Sequence, residues 1–503
     1  MLPPVTAHAL RELVPAPDVL TLYARLRSGA APWLLESSLP DPRLGRFHFL
    51  GADPWCIARV FGSRVEIERR RAPDGCATSQ RIAFEGDPFA VSRALLPRRP
   101  DGSPPPFPFA GGLVGFFGYE MAAHCDAPPL RARDDLGLPD ALWFGVDRCV
   151  AIERESGRAF LCALGFGDDL ASARARAQIG LDALERALAA PCANESADAN
   201  TAPHARERTR PPAPALDAGA YAKAVDAILE EIAAGRVYQA CFTQCCERAF
   251  AGDAFSLYRA LRRVNPAPFA ACLEVPEFSL IGSSPERFLR VSRGGEVESR
   301  PIKGTRPRGS TPERDERLRA ELLASPKERA ENLMIVDLVR NDLGRVCETG
   351  SVHVPELFAV EPYASVFQLV SSVRGRLARG RDAFDAARAC FPPGSMTGAP
   401  KRAAMGLLDR LEGVRRGVYS GALGYFDAWG GADLSVVIRS VVLTRGRAWL
   451  HAGGGIVADS LPFAEHAEAE QKLAPLLQAL GDASKEADES RPTRSEAKPS
   501  EGR

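Results

Sequence analysis

The chain has 503 residues with 64 basic and 64 acidic side chains, a neutral balance that excludes a nucleic-acid or acidic-membrane partner held by bulk electrostatics. Its length exceeds one ordinary hydrophobic core and predicts two domains or one large composite domain. No apolar run reaches transmembrane length, the first residues lack a signal-peptide layout, and twelve cysteines without a Cys-x-x-Cys pair read as reduced thiols of a cytosolic protein.

The first half predicts antiparallel sheet. Trp33-Leu34-Leu35 and residues 46–50 read as short strands, and 57–68 alternates as another. A proline-rich loop covers 98–109. Residues 110–119 are apolar and glycine-rich, which suits a strand in close backbone contact with its neighbours. Residues 142–152 pair with 159–164 across Glu155-Ser156-Gly157. The polar, proline-rich stretch 190–214 is the expected linker between an N-terminal region, 1–189, and a second region, 215–480.

Beyond it the pattern becomes mixed. Helices are predicted over 221–234, 256–264, 311–323 and 328–343, the last carrying Glu331 and Asp337. Cys241, Cys245 and Cys246 cluster without a histidine to complete a zinc set. A strand over 278–281 ends in Ser283-Ser284-Pro285-Glu286-Arg287. Residues 421–427 and 434–443 form a hairpin about Trp429-Gly430-Gly431. A strand leads into Gly453-Gly454-Gly455, a final helix starts near Ser460-Leu461-Pro462, and 481–503 read as a disordered tail.

Lysine is scarce: only seven of the 64 basic residues are lysine, yet one stands in Pro301-Ile302-Lys303-Gly304-Thr305. Unlike arginine, a lysine amine can lose its proton and act as a base or nucleophile. Arg300 and Arg306 are close in sequence and are expected to depress its pKa; the alternative is a surface lysine in a turn. Glu465, Glu468 and Lys472 share one helix face, where two carboxylates can hold a hard cation and the lysine a substrate carboxylate, or where all three form a solvated surface. Glu331 can add a third oxygen ligand. Glu286 is a general acid or half of a structural Glu–Arg pair. The glycines at 453–455 either present N–H groups to an anion or make a tight turn. Arg439, inside an apolar strand, needs an anionic ligand or an internal ion pair.

These motifs, in this order, resemble the chorismate-binding domain shared by anthranilate, aminodeoxychorismate, isochorismate and salicylate synthases. The matching stretches are Gly235-Arg236-Val237-Tyr238-Gln239, Ser284-Pro285-Glu286-Arg287, Pro301 to Thr305, the run from Glu331 to Asp342, Gly398-Ala399-Pro400-Lys401 and Glu465-His466-Ala467-Glu468. Residues 15–165 resemble the N-terminal part of the anthranilate and aminodeoxychorismate branch. The resemblance implies an α+β fold of large antiparallel sheets packed as a sandwich with helices outside.

Within the family, Gln239 stands where water-using members place a lysine base, which implies ammonia as the nucleophile. Lys303 stands where anthranilate synthases carry a small residue, which resembles the aminodeoxychorismate-forming branch. The resemblance then implies Lys303 as a covalent nucleophile, Glu286 as the acid on the departing hydroxyl, and Mg2+ on Glu331, Glu465 and Glu468. It implies substrate contacts from Tyr425, Arg439, Gly453, Gly454, Gly455 and Lys472, with Thr305, Ser395 and Thr397 lining the pocket. Gln368, where many relatives have histidine, agrees with a product that keeps its enolpyruvyl group. No segment resembles a glutamine amidotransferase, so a separate glutaminase subunit is the implied ammonia source. Ser37, Leu44, Gly45, Arg46 and Phe47, with Pro268, Phe269 and Ala270, match the branch's tryptophan site or pack an interface. The competing expectations are an anthranilate synthase large subunit and a non-catalytic chorismate- or tryptophan-binding regulator.

Overall fold

The computed structural model describes residues 5–39, 43–71, 77–190, 217–363 and 366–489. Most of the expected linker and residues 490–503 of the expected tail lie outside them. Two large antiparallel sheets, of eleven and twelve strands among the described residues, form the framework. Each takes strands from both sides of the 191–216 segment. In the first, Trp33–Glu36 pairs with Phe269–Val275; in the second, Gly112–Phe117 pairs with Ala422–Asp427.

The sheets face each other across one continuous apolar cluster. Trp33, Phe49 and Leu280 from one side meet Phe116, Trp143, Leu289 and Phe426 from the other. The helices lie outside. Val19–Leu26, Leu170–Ala189, Ala254–Val264 and Pro462–Glu489 cover the outer face of the eleven-stranded sheet through a second cluster, and Ala218–Ala233 packs with Lys401–Glu412 in a third. This is the expected α+β sandwich. No helix among the described residues is long and apolar enough to cross a membrane.

Several strands differ from expectation in one way: the chain turns or changes sheet where continuous strand was predicted. Residues 57–68 fold as the hairpin Cys56–Phe61 and Arg64–Arg71, because Gly62 takes φ 61°. Residues 142–152 divide into Ala141–Val146 in one sheet and Arg148–Glu153 in the other. The Trp429–Gly431 hairpin forms between Ala422–Asp427 and Ala432–Val436. The chain then crosses at Arg439, φ 52°, and continues as Ser440–Thr444 in the opposite sheet. Phe278–Ser284 and Arg287–Val291 are likewise in different sheets, with Glu286 at the crossing. The terminal helix runs to Glu489, into the expected tail, because Leu476, Ala479, Leu480 and Ala483 keep burying a helical stripe.

The glycine-rich strand Gly112–Phe117 does make close backbone contact. A Cβ on Gly115 would lie 1.9 Å from the Leu142 carbonyl oxygen.

Candidate active site

The two crossings meet. Ser283 N–H donates to the Arg439 carbonyl (3.0 Å) and Val436 N–H to the Glu286 carbonyl (3.0 Å). Where strands part to change sheets, side chains are released from ladder packing and can converge.

Lys303 reaches this point from Ile302–Pro307, at the end of the twelve-stranded sheet. Its pairing register slips between Ile302 and Thr305, and Gly304 sits at φ 97°. A bulge of this kind re-aims a side chain. Lys303 Nζ donates to the Ser395 carbonyl (3.3 Å). Opposite it is Gly455, where a Cβ would stand 3.0 Å from Nζ and 2.5 Å from Gln239 Nε2. The absent side chain lets the amine and the Gln239 amide approach the strand closely. Gln239 is fully buried, and neither amide atom has a hydrogen-bond partner.

The arginines do not depress the amine as expected. Arg300 turns to Ser372, Glu356 and Glu361, and Arg306 to Glu328. Burial alone would lower the Lys303 pKa, but Cys241, Glu331, Glu286 and Glu468 outweigh it and raise it. Its surroundings therefore favour the ammonium form. Glu286 is buried, and burial raises its carboxyl to about 7 although the Ser395 hydroxyl, Lys303 and the Ile302 N–H partly oppose this. Such a carboxyl holds a transferable proton near neutrality. Ser395 thus touches both groups. Thr397, two residues on, accepts Cys241 N–H through its carbonyl (2.8 Å).

The carboxylates expected to hold a cation come from two helices. Burial, with help from Glu328 and Glu465, raises Glu331 to about 7 despite Lys303 and Lys327. Glu465 accepts from the Ser460 hydroxyl (2.7 Å), and burial and Glu468 raise its pKa. Burial opposes ionisation of Glu468 as well, yet Lys472, 2.7 Å away, lowers its pKa. A Cβ on Gly454 would fall between these groups, 3.0 Å from Glu465 Oε2 and 3.9 Å from Glu468 Oε1. Among the described residues no three ligating side chains converge as they stand. The donor set still suits Mg2+: hard carboxylate oxygens, mutually repelling, around a cradle that glycine keeps open.

Arg439 donates to the Lys472 carbonyl (3.0 Å), and Lys472 Nζ to the Gly453 carbonyl (2.6 Å). The three glycines belong to the strand Arg447–Ile456 and pair with Cys241, Phe242 and Thr243, so they do not form a turn. Thr305 is exposed opposite Gln368, whose buried Oε1 has no partner.

Tyr425 is not at this site. It faces the sandwich interior, 4.9 Å from the Phe109 ring and 5.6 Å from Phe49. The tyrosine in electrostatic range of Arg439 is Tyr419, in the turn before that strand and stacked on His451 at 4.9 Å. Strand alternation after Gly421 turns residue 425 inward, whereas the turn leaves 419 at the crossing.

Sequence reasoning also missed Arg416. This buried guanidinium donates to Glu412, the Met396 and Cys241 carbonyls and the Ser420 hydroxyl, tying the 394–397 turn to the strand carrying Gln239. Lys401, in a recognised motif, proves to be a brace: it binds Asp342 and the Cys390 and Pro392 carbonyls.

Away from these residues a cavity of about 490 Å³ opens between the sheets. Ser37, Leu44, Arg46, Phe47, Pro268, Phe269 and Ala270 line it together with Tyr425, Arg287 and Asp433, while Gly45 is not in the lining.

A model of the chorismate binding enzymes matches residues 58–478. The aminodeoxychorismate synthase of Streptomyces griseus is 43% identical over 90% of this chain, which spans 61% of that protein's length. The anthranilate synthase component 1 of Mycolicibacterium smegmatis is 38% identical, with 92% of this chain and 88% of that one covered. Among solved structures, the anthranilate synthase component I of Streptococcus pneumoniae superposes with a TM-score of 0.71 at 29% identity, over 87% of this chain and 93% of that one.

Proposed function

The chain belongs to the chorismate-binding enzyme family, and on that footing we propose that it converts chorismate and ammonia to 4-amino-4-deoxychorismate through a covalent bond to Lys303. The observation carrying this reading is the convergence of Lys303 and a buried Glu286, whose carboxyl burial raises to about 7, on Ser395. The Streptomyces griseus relative named for that product supports it.

In the proposed reaction Glu286 gives its proton to the departing 4-hydroxyl, which leaves as water. Lys303, whose ammonium proton passes to solvent, bonds through Nζ to ring carbon 2 as the ring double bond shifts, and the Glu286 carboxylate takes the surplus proton from the adduct. Ammonia then bonds to carbon 4 and the double bond returns; Glu286 gives its proton to Nζ as the C2–Nζ bond breaks and regains one from the new C4 ammonium. The two allylic displacements put nitrogen where the hydroxyl was. Mg2+ held by Glu331, Glu465 and Glu468 would anchor the ring carboxylate and neutralise carboxylates that otherwise keep Lys303 protonated. In this reading Arg439, Tyr419 and Lys472 hold the substrate's carboxylates. Gln239 offers amide hydrogen bonds but no base, so water is not activated there.

Ammonia comes, in this reading, from a glutaminase subunit, aminodeoxychorismate synthase component II, and the product feeds p-aminobenzoate and folate synthesis. The cavity between the sheets takes L-tryptophan in this reading: an apolar wall around Phe47 and Phe269 suits the indole, and its charged groups suit an amino acid's ends. Chorismate, Mg2+ and ammonium incubated with the protein should give aminodeoxychorismate by mass spectrometry. Anthranilate and pyruvate as the main products would replace this reading with the anthranilate synthase one, and absence of turnover would favour a regulator.

A further inference from the structure

Lys327 stands in the first turn of the helix Pro326–Gly344 and meets the carboxylate cluster from outside. Its Nζ is 3.9 Å from Glu331 Oε1 and 3.8 Å from Glu465 Oε1, so one ammonium spans acids from two helices. Lysine's side chain is 43% exposed, whereas those of the glutamates are 10% and 5% exposed. Both separations exceed the 2.7 Å that Lys472 keeps to Glu468 and Lys401 to Asp342. Charge, rather than a directed hydrogen bond, holds Lys327 in place.

We propose that Lys327 is a tethered counter-ion that supplies positive charge between Glu331 and Glu465 when no divalent cation is bound, and that it must withdraw to admit one. This rests on the reading of Glu331, Glu465 and Glu468 as the metal ligands. In the free protein the ammonium offsets the repulsion between buried carboxylates. Its long stem and exposure let it swing to solvent without breaking a short bond. Cation affinity is then lowered by the interaction given up, and two loose, partly exposed ion pairs correspond to roughly a three- to thirtyfold effect. Lys472 is a different case, since its short contacts to Glu468 and the Gly453 carbonyl persist as part of the substrate pocket.

The test is Mn2+ binding to the full chain without chorismate, followed by electron paramagnetic resonance and, for Mg2+, calorimetry. Lys327→Gln should bind Mn2+ roughly three- to thirtyfold tighter than wild type, and Lys327→Arg, which keeps the charge, about as weakly as wild type. Glu465→Gln should lose binding. Unchanged or weaker affinity in Lys327→Gln, with binding still lost in Glu465→Gln, overturns the counter-ion role alone. Tighter binding by Lys327→Arg also overturns it, even if Lys327→Gln does not fold. Wild-type affinity in Glu465→Gln overturns the metal-site reading and this inference with it.

Discussion

Burial holds Glu286 protonated up to about pH 7, while the carboxylates around Lys303 keep its amine charged. A leaving-group acid must carry its proton, so the rate should fall as pH rises through the Glu286 pKa. The kcat profile is therefore expected to show an alkaline limb with an apparent pKa about 7. Glu286→Gln should lower kcat by about 10²–10⁴-fold and abolish that limb in the residual activity. A limb that survives would mean another group donates the proton. At this scale residue types were legible: Lys303, Glu286 and the three glutamates carry their chemistry in their names and motifs. Their electrostatic surroundings were not. Arg300 and Arg306 are neighbours of Lys303 in sequence, yet both spend their charge on other acids. The two tyrosines failed for a related reason, since six residues of separation do not reveal that a turn lies between them.

Strands were readable from alternation and glycine, but their crossings between sheets were not, because an apolar strand looks the same in either sheet. Those crossings, at Glu286 and Arg439, are where the site forms. The adjoining strand can be tested at Gly455. Gly455→Ala places a methyl group against Lys303 Nζ and Gln239 Nε2, and it should cut kcat more than tenfold with little change in melting temperature. Gly115→Ala, whose Cβ would press into a backbone carbonyl, should instead lower stability. If Gly455→Ala lost stability as severely, the close approach of Lys303 and Gln239 to this strand would be core packing rather than part of a substrate seat.

The buried knot around Arg416 holds a second titrating acid. Glu120 accepts from Arg416 N–H (3.0 Å), but its other carboxyl oxygen has no partner. Burial, then the charge of Asp140, raises its pKa from 4.5 to about 8. Between those values the folded state binds more protons than the unfolded one, so this group's stabilising contribution is complete below the lower value and lost as pH rises through the upper. Glu120→Gln should flatten the pH 5–8 dependence of unfolding free energy by the order of a few kcal/mol. An unaltered pH dependence would show that Glu120 ionises freely in the folded protein.

At the scale of the whole molecule, the sandwich was legible through resemblance, whereas the way its halves interlock was not. Pairing partners separated by hundreds of residues leave no local periodicity to read. Because Trp33–Glu36 and Gly112–Phe117 each complete a sheet begun by later strands, a fragment of residues 217–489 would expose two long sheet edges and half of the central apolar cluster. It should aggregate or stay uncooperative in calorimetry. A soluble fragment with a sharp transition would show that the second half folds unaided.

In the proposed mechanism the interlocked sheets serve to bring one lysine and one acid together. The most direct measurement is the rate at which Lys303→Ala makes aminodeoxychorismate from chorismate, Mg2+ and ammonium, in a protein whose circular dichroism and melting match the wild type. The expected result is no such product, with Lys303→Arg equally inactive because arginine keeps the charge and lacks the reactive amine. Production by Lys303→Ala at the wild-type rate would contradict a covalent role for Lys303.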